Sequence, residues 1–178
     1  MKSSLLFSSI LTLAAFSCGS VTDTSKEATS SLESNGPLNC TILTNNGHYL
    51  TAVGGGGRTF DVLHTDAVRV GNWERFKLID SGDGASPIHY GIQTFSGHYL
   101  TAVGAGGRIT DVMHSNATQI LAWEKLTLNS LGGGYFSIQT SNGHYLTATG
   151  GGGKVNDAIH SDATVVQAWE RFKFNCRR

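Results

Sequence analysis

The stretch at residues 47–58 reads GHYLTAVGGGGR, and the chain contains it three times. It recurs as GHYLTAVGAGGR at 97–108 and as GHYLTATGGGGK at 143–154. Each copy continues into a block such as DVLHTDA at 61–67 and then into a block such as WERFKL at 73–78. The first histidine of the stretch recurs after 50 and then 46 positions, and so does the tryptophan of the last block. Because two separate markers keep the same offsets, the chain is an internal triplication.

Each repeat reads as four short strands, which in the first copy span 40–44, 49–53, 62–65 and 73–79. Apolar and polar residues alternate along them, as in a half-buried strand. In the third strand a large apolar residue points inward, so the histidine after it, His64 in the first repeat, points outward. Twelve strands in three copies of four predict an all-β fold of the β-trefoil type. Its first and fourth strands close a six-stranded barrel, and three hairpins cap one end.

The chain before the repeats has the composition of an export signal. Residues 1–18 combine an early lysine, an apolar run and small residues near the end, which predicts a signal peptide of the lipoprotein type. Residues 19–37 predict a flexible linker, so the β-trefoil domain spans 38–178, with repeats at about 38–87, 88–134 and 135–178. Cys18 follows a loose lipobox, which predicts lipidation; plain secretion with cleavage nearby is the alternative. We expect an exported protein, secreted or lipid-anchored at the cell envelope.

The bulk charge excludes some partners. Basic and acidic residues number 13 each, so the chain has no net charge and no footprint for nucleic acid or for a charged membrane surface. We expect contact with a membrane only through the lipid anchor. The sequence does not indicate an oligomeric state.

Two cysteines lie within the domain, Cys40 in its first strand and Cys176 in its last. In an exported chain they predict a disulfide that joins the two ends of the domain. This pairing leaves Cys18 free to accept a lipid. Two free core cysteines are the alternative.

Gly-His-Tyr-Leu-Thr-Ala with a glycine run, followed by Trp-Glu-Arg-Phe, resembles the fascin-like branch of the β-trefoils. The resemblance extends over residues 38–178 and recurs in each repeat. Exported fascin-like modules are similar to carbohydrate binders joined to glycoside hydrolases, so the resemblance implies a carbohydrate-binding, lectin-like module. Fascins bundle actin and the related hisactophilins bind actin and acidic lipid. A protein-interaction or actin-bundling module is therefore the alternative.

A second resemblance is to the galactose-binding trefoil lectins of mussels, which carry a glycine pair and a Leu-His-x-Asp motif. Here the glycines at 54–55 and the sequence Leu-His-Thr-Asp at 63–66 fall in similar places. The His-Pro pair of that family is Thr-Ala at 51–52, so the resemblance does not name the sugar. It implies a site beside each hairpin, in which carboxylates and imidazoles bind vicinal hydroxyls of mono-, oligo- or polysaccharide.

The candidate site of each repeat holds a loop glycine, two acidic or amide side chains and an outward histidine. These residues are Gly54, Asp61, His64 and Asp66 in the first repeat, Gly104, Asp111, His114 and Asn116 in the second, and Gly150, Asp157, His160 and Asp162 in the third. For Asp66 and its counterparts, capping of a turn is an equal alternative. Three equivalent sites suit multivalent binding, in which modest affinities combine.

The same repetition argues against an enzyme. Acid–base or nucleophile sets need members with different pKa values, whereas every candidate group here occurs in all three repeats. We expect no catalytic residues and no cofactor. Because no spacing matches a zinc set, we also expect no metal site.

Three further repeated features have structural interpretations. The glycine runs predict hairpin loops with positive φ, since the Gly-Lys-Ser/Thr ending and the following helix of a P-loop are missing. His48 and its counterparts are expected to make local hydrogen bonds beside a turn glycine. The tryptophans at 73, 123 and 169 are expected to pack in the core, with stacking on a sugar as the alternative.

Overall fold

The computed structural model describes residues 36–178, so the predicted signal peptide, residues 19–35 of the predicted linker and Cys18 lie outside the described residues. The described chain is all β apart from a short 3-10 turn in each repeat. Its strands are β1 (Leu38–Leu43), β2 (Tyr49–Ala52), β3 (Leu63–Ala67), β4 (Phe76–Asp80), β5 (His89–Gln93), β6 (Tyr99–Ala102), β7 (Met113–Ala117), β8 (Leu126–Gly132), β9 (Tyr135–Gln139), β10 (Tyr145–Ala148), β11 (Ile159–Ala163) and β12 (Phe172–Arg177).

Six strands close a barrel. β1 pairs with β4, β4 with β5, β5 with β8, β8 with β9, β9 with β12 and β12 with β1, all antiparallel. These are the first and fourth strands of the three repeats. The other strands form the hairpins β2–β3, β6–β7 and β10–β11. The predicted β-trefoil is confirmed, and closure leaves the barrel without an unpaired edge.

Apolar side chains from corresponding positions fill the barrel. One set lies in the middle of the first strands and another at the start of the fourth strands, and every member is at most 1 % exposed. The two sets are Ile42, Ile92 and Ile138, and Phe76, Leu126 and Phe172. Their burial removes a large apolar area from water, which is the main stabilising contribution to such a core.

Each hairpin loop pairs with the hairpin of the following repeat. Gly57 donates its N–H to the carbonyl of Ser115 at 2.7 Å, and Ser115 donates its N–H to the carbonyl of Arg58 at 2.8 Å. Residues 107–108 make the same two bonds with Ser161, and residues 153–154 make them with Thr65. The third repeat thus returns to the first, and the three hairpins form a closed ring. These bonds satisfy main-chain groups at residues whose side chains are fully buried.

A side chain does not fit in this loop at Gly56. The residue has φ 107° and ψ −169°, a backbone region that is essentially restricted to glycine. A Cβ there would overlap the hydroxyl of Thr94 and lie 2.9 Å from Ser96 Oγ. Gly106 meets Thr140 and Gly152 meets Thr44 in the same way. The predicted positive-φ loops are confirmed, and glycine is required there by space as well as by backbone conformation.

The fourth strand begins later than predicted. β4 starts at Phe76 and not at Trp73, because residues 71–75 form a turn ahead of it. The carbonyl of Trp73 accepts the N–H of Ala52 at 2.9 Å, which ties this turn to the end of β2. The corresponding strands of the other two repeats begin with the same delay.

A disulfide joins the first and last strands. Cys40 in β1 and Cys176 in β12 lie directly opposite each other, with Cα atoms 4.1 Å apart. The predicted bridge is confirmed, and the alternative of two free core cysteines is wrong. Since the two residues are 136 positions apart, the bridge encloses almost the whole domain.

Replacing Gly56 by alanine should destabilise the domain far more than replacing Gly54. Both glycines have positive φ, but a Cβ at Gly54 meets only the Arg58 side chain, at 3.7 Å. We expect Gly54→Ala to cost about 1–2 kcal/mol from its left-handed backbone. Gly56→Ala should cost at least about 2 kcal/mol more, because overlap with Thr94 adds to a backbone closed to alanine. Urea denaturation measures both, and equal losses would contradict the steric account.

Reduction of the disulfide should lower the free energy of unfolding. In the chain-entropy model a loop of this length contributes on the order of 5 kcal/mol. We expect the urea midpoint of the reduced protein and that of the Cys40→Ala/Cys176→Ala variant to fall by similar amounts. Reductant should leave the double variant unchanged. Thiol titration that found both cysteines reactive in the native, oxidised domain would contradict the bridge.

Candidate functional site

The loop after β2 positions several of the predicted site residues. In the first repeat β2 runs into a 3-10 turn at Val53–Gly55, in which Gly54 has φ 67°. The Arg58 side chain lies against Gly54, 3.7 Å from the place a Cβ would take. Arg58 Nη2 is 3.5 Å from Asp61 Oδ2. Gly54 thus leaves room for a cation that faces the predicted carboxylate.

Asp61 and His64 form a short hydrogen-bonded pair at the surface of the hairpin. Asp61 Oδ1 lies 2.7 Å from His64 Nε2. The distance is 2.8 Å for Asp111–His114 and 2.7 Å for Asp157–His160. Asp61 has φ 48°, a left-handed conformation that aspartate tolerates better than most residues, and its two counterparts share it. The same local turn therefore aims a carboxylate at an imidazole in all three repeats.

Asp66 stands apart from this pair. It lies in β3 two residues after His64, on the same face of the strand, and is exposed. Within residues 36–178, neither Asp66 nor its counterparts Asn116 and Asp162 makes a side-chain hydrogen bond. The turn-capping alternative thus finds no support in the structure. Ligand binding by these residues stays a prediction.

The prediction that the tryptophans pack in the core is wrong. Trp73, Trp123 and Trp169 are exposed by 47, 46 and 48 %. The turn before the fourth strand moves the indole out of the barrel and against the glycine loop. Trp73 Cδ1 lies 3.5 Å from the Cβ position of Gly55, and Trp169 makes the same contact with Gly151. In the described part of the chain no acceptor binds an indole N–H. Each tryptophan is therefore a surface side chain, and Trp73 and Trp169 lie against the loop of their own repeat.

The repeat pattern alone does not predict the role of the glutamate after each tryptophan. Glu74 is 7 % exposed; it accepts the Thr51 hydroxyl at 2.8 Å and the N–H of Gly71 at 2.7 Å. The counterparts Glu124 and Glu170 make the same two bonds. A buried carboxylate needs such donors. Glu74 therefore ties the loop before β4 to β2 and holds Trp73 in place. A Thr and a Glu 23 positions apart in every copy were the available signal.

The histidines of the repeated GHYL make the local bonds that the sequence predicts. His48 Nδ1 lies 2.9 Å from Asn46 Oδ1, and the counterparts in the other repeats bond a neighbouring Ser or Asn at the same distance. The His48 ring also lies 3.6 Å from the Cβ position of Gly153, in the loop of the third repeat. These histidines support the contact between repeats.

The three loops surround an open depression of about 550 Å³. Residues from all three repeats line it, with aspartates that include Asp61 and apolar residues that include Leu63. His64 and Asp66 do not line it. Asp61 therefore borders two surfaces, the shared depression on one side and its own histidine on the other.

Residues 36–178 contain neither a metal-binding cluster nor a membrane-spanning helix. No group of three or more His, Cys, Asp or Glu side chains in this range is placed to hold a metal ion. Across the same residues, no helix has the length and apolar character needed to cross a membrane.

One charged cluster breaks the threefold pattern. Asp83, in the join between β4 and β5, lies 2.7 Å from His89 Nδ1 and 3.0 Å from Lys125 Nζ. It also accepts the N–H of Ala85 at 3.0 Å. The hydrogen bond from His89, followed by those from Lys125 and Ala85, holds the pKa of Asp83 well below its usual range. Because this join occurs once, comparison of the repeats does not predict the cluster.

The depressed pKa makes Asp83 a stabilising group at neutral pH. Its folded pKa lies below the unfolded value of about 3.9, so its contribution is present above that value and is lost as the pH falls. We expect Asp83→Asn to lower Tm at pH 7 and the difference from wild type to shrink between about pH 5 and pH 2. Thermal unfolding across this range measures it. Asp66→Asn, which alters an exposed aspartate without a hydrogen bond, is the control. A difference that stayed constant with pH would contradict the expectation.

Neither a family model nor a curated protein matches the chain. Solved structures of β-trefoil proteins do match it. A designed threefold-symmetric protein, ThreeFoil, superposes with a TM-score of 0.63 at 15 % identity, over 76 % of this chain and 96 % of its own. The Rhizoctonia solani agglutinin superposes with a TM-score of 0.61 at 16 % identity, over 76 % and 92 %.

An exo-β-1,3-galactanase from Clostridium thermocellum also matches, with a TM-score of 0.64 at 14 % identity. The match covers 76 % of this chain and 29 % of the galactanase chain. At these identities the superpositions show a shared fold and nothing about function. The neighbours do not single out the fascin-like branch, so that finer assignment stays a prediction.

Proposed function

We propose that the protein is a non-catalytic carbohydrate-binding module with up to three equivalent sites, one in each repeat. The observation that carries this proposal is a half-exposed tryptophan in every repeat, which lies against the glycine loop at Gly55 and Gly151, together with an exposed aspartate–histidine pair in the segment that follows each loop. An indole offers apolar surface to the carbon-bound hydrogens of a sugar ring, and its N–H is a donor. The carboxylate and imidazole offer hydrogen-bonding groups to the hydroxyls.

The polar pair has hydrogen-bonding capacity left for a ligand. Asp61 uses Oδ1 for His64, whereas among the described residues Oδ2 has only the long contact of 3.5 Å with Arg58. His64 Nδ1 has no partner within residues 36–178. Asp66, on the same face of β3, adds a second exposed carboxylate. A sugar with neighbouring hydroxyls can use several such groups at once, which suits the residue types present.

The fold neighbours support the same class of ligand. They include an agglutinin and a galactanase, and both names fit a carbohydrate better than a filament. Because the chain spans 29 % of the galactanase, the activity of that enzyme is not transferred. The repetition of every candidate group in all three repeats supports binding without catalysis.

We also propose that the module is exported through residues 1–18 and anchored through Cys18. The disulfide between Cys40 and Cys176 supports export, because such bonds persist in oxidising compartments and are rare in the cytosol.

A fascin-like protein-interaction module is the second candidate, and one observation favours it. Phe60, Ile109 and Val155, which line the shared depression, are exposed by 75, 55 and 44 %. Clustered exposed apolar side chains are typical of surfaces that bind other proteins. Co-sedimentation with actin filaments tests this candidate.

Replacement of the tryptophans tests the carbohydrate proposal. We expect Trp73→Ala, Trp123→Ala and Trp169→Ala each to weaken binding to an immobilised polysaccharide by about 1–2 kcal/mol at the altered site, as is usual for a contacting tryptophan. The triple variant should lose binding, with little change in Tm, because the side chains are half exposed. The chain has three tryptophans in all, so intrinsic fluorescence reports ligand binding directly.

Leu121→Ala is the matched control, since Leu121 is an exposed apolar side chain in the loop that carries Trp123. It should bind like wild type. A second set, Asp66→Ala with Asn116→Ala and Asp162→Ala, separates the two roles of these positions. Lost binding with an unchanged Tm supports ligand contact by these residues, whereas unfolding of the variant would favour the turn-capping interpretation. Wild-type protein that bound no glycan on an array but co-sedimented with filaments would overturn the proposal.

A further inference from the structure

An open cleft of about 620 Å³ lies where the third repeat meets the other two, between the end of β8, the start of β9 and the loop that precedes β12. Its walls include Arg171, Tyr135, Gln167, Asn45 and Leu131. Its lining contains no carboxylate. The aspartates, histidines and tryptophans of the three proposed sites do not line it either, so it is a separate place on the molecule.

Two cations lie against Tyr135, a wall of this cleft; Arg171 lines the cleft itself and Lys173 contacts the same ring. Arg171 Cζ lies 5.3 Å and Lys173 Nζ 5.7 Å from the centroid of the Tyr135 ring. Among residues 36–178 neither side chain forms an ion pair. Contacts with an aromatic ring orient the cations and leave their charge in place. The cleft is therefore positive and suits an anion.

At the equivalent place in the second repeat, the join before β5 supplies a carboxylate. Lys125 directly precedes β8, as Arg171 directly precedes β12. His89 begins β5, as Tyr135 begins β9. Asp83 lies between Lys125 and His89, 3.0 Å from Lys125 Nζ and 2.7 Å from His89 Nδ1. The protein itself thus shows which chemical group this position of the repeat binds.

The third repeat has no internal group that could take this role. The join between β8 and β9 is Gly133 and Gly134, whereas the join that carries Asp83 spans residues 81–88. Two glycines bring no side chain to the cleft. Arg171 therefore remains available to a carboxylate from outside the chain.

We propose that this cleft binds the carboxylate of a uronic acid residue, with Arg171 as the main contact. A guanidinium can bind a carboxylate through two parallel hydrogen bonds. The side-chain amides of Gln167 and Asn45, which have no hydrogen-bond partner within residues 36–178, can bind the sugar hydroxyls. The choice of a sugar rests on the proposed carbohydrate-binding function, whereas the choice of a carboxylate rests on Arg171 and the comparison with Asp83.

Glucuronic acid and glucose, which differ in one carboxylate, are the probes. In NMR titrations at pH 7, glucuronate should shift the signals of Arg171 and Gln167, and glucose should bind there at least about tenfold more weakly. Arg171→Gln should raise the Kd for glucuronate by about tenfold or more, the effect of losing a hydrogen bond to a charged group. Arg69→Gln, which removes an exposed cation outside the cleft, should leave the Kd unchanged.

A second variant tests the comparison between repeats. Asp83→Ala frees Lys125 and His89, so adding it to Arg171→Gln should restore glucuronate binding, now with shifts at Lys125. Unchanged binding by Arg171→Gln alone would overturn the proposal. Glutamate that bound as tightly as glucuronate would also overturn it, because the site would then lack selectivity for a sugar.

The two proposals fail separately. If neutral glycans do not bind the wild-type protein while glucuronate binds through Arg171, the three-site function is wrong and this inference stands. If neutral glycans bind at the tryptophans and Arg171→Gln leaves the Kd for glucuronate unchanged, this inference alone is wrong.

Discussion

The contact between each glycine loop and the next repeat is the constraint on which the rest of the structure depends. The loop passes so close to its neighbour that a Cβ at Gly56 would overlap Thr94, and two main-chain hydrogen bonds hold it there. The loop and the next hairpin contact each other through main-chain groups. The geometry of these hydrogen bonds therefore fixes the position of one hairpin relative to the next. The third loop closes the ring on Thr65. Each repeat therefore depends on both neighbours for its native shape.

The same loops organise the candidate sites. Gly54 leaves room for Arg58, Gly55 supports the edge of Trp73, and the left-handed turn at Asp61 directs its carboxylate. Buried Glu74 fixes the tryptophan from the other side through its bonds to β2 and to its own loop. The groups offered to a ligand thus sit on segments that folding has already ordered, which reduces the entropy lost on binding.

The repeats made most of the fold predictable, because a pattern seen three times separates inward from outward positions in each strand. The barrel, the hairpins and the positive-φ loops follow from it, whereas the disulfide follows from two cysteines in an exported chain. Alternation fails at Trp73, where a turn interrupts the strand and moves the indole to the surface. It is also silent on Asp83, because a contact between a single join and Lys125 has no counterpart to compare. Contacts that occur only once among the described residues are the part that sequence periodicity cannot predict.

The first and last strands of the β-trefoil domain bring its two ends side by side. Asn39 and Arg177 face each other where β1 begins and β12 ends, while the far end of β1 pairs with the first hairpin through Leu43 and Tyr49. A support or fusion partner attached directly before β1 or directly after β12 would therefore sit at the same end of the barrel, at the end of β1 remote from that hairpin. The ring of hairpins would face away from the attachment point and toward the medium. The same face of the domain is therefore exposed whether the attachment precedes β1 or follows β12.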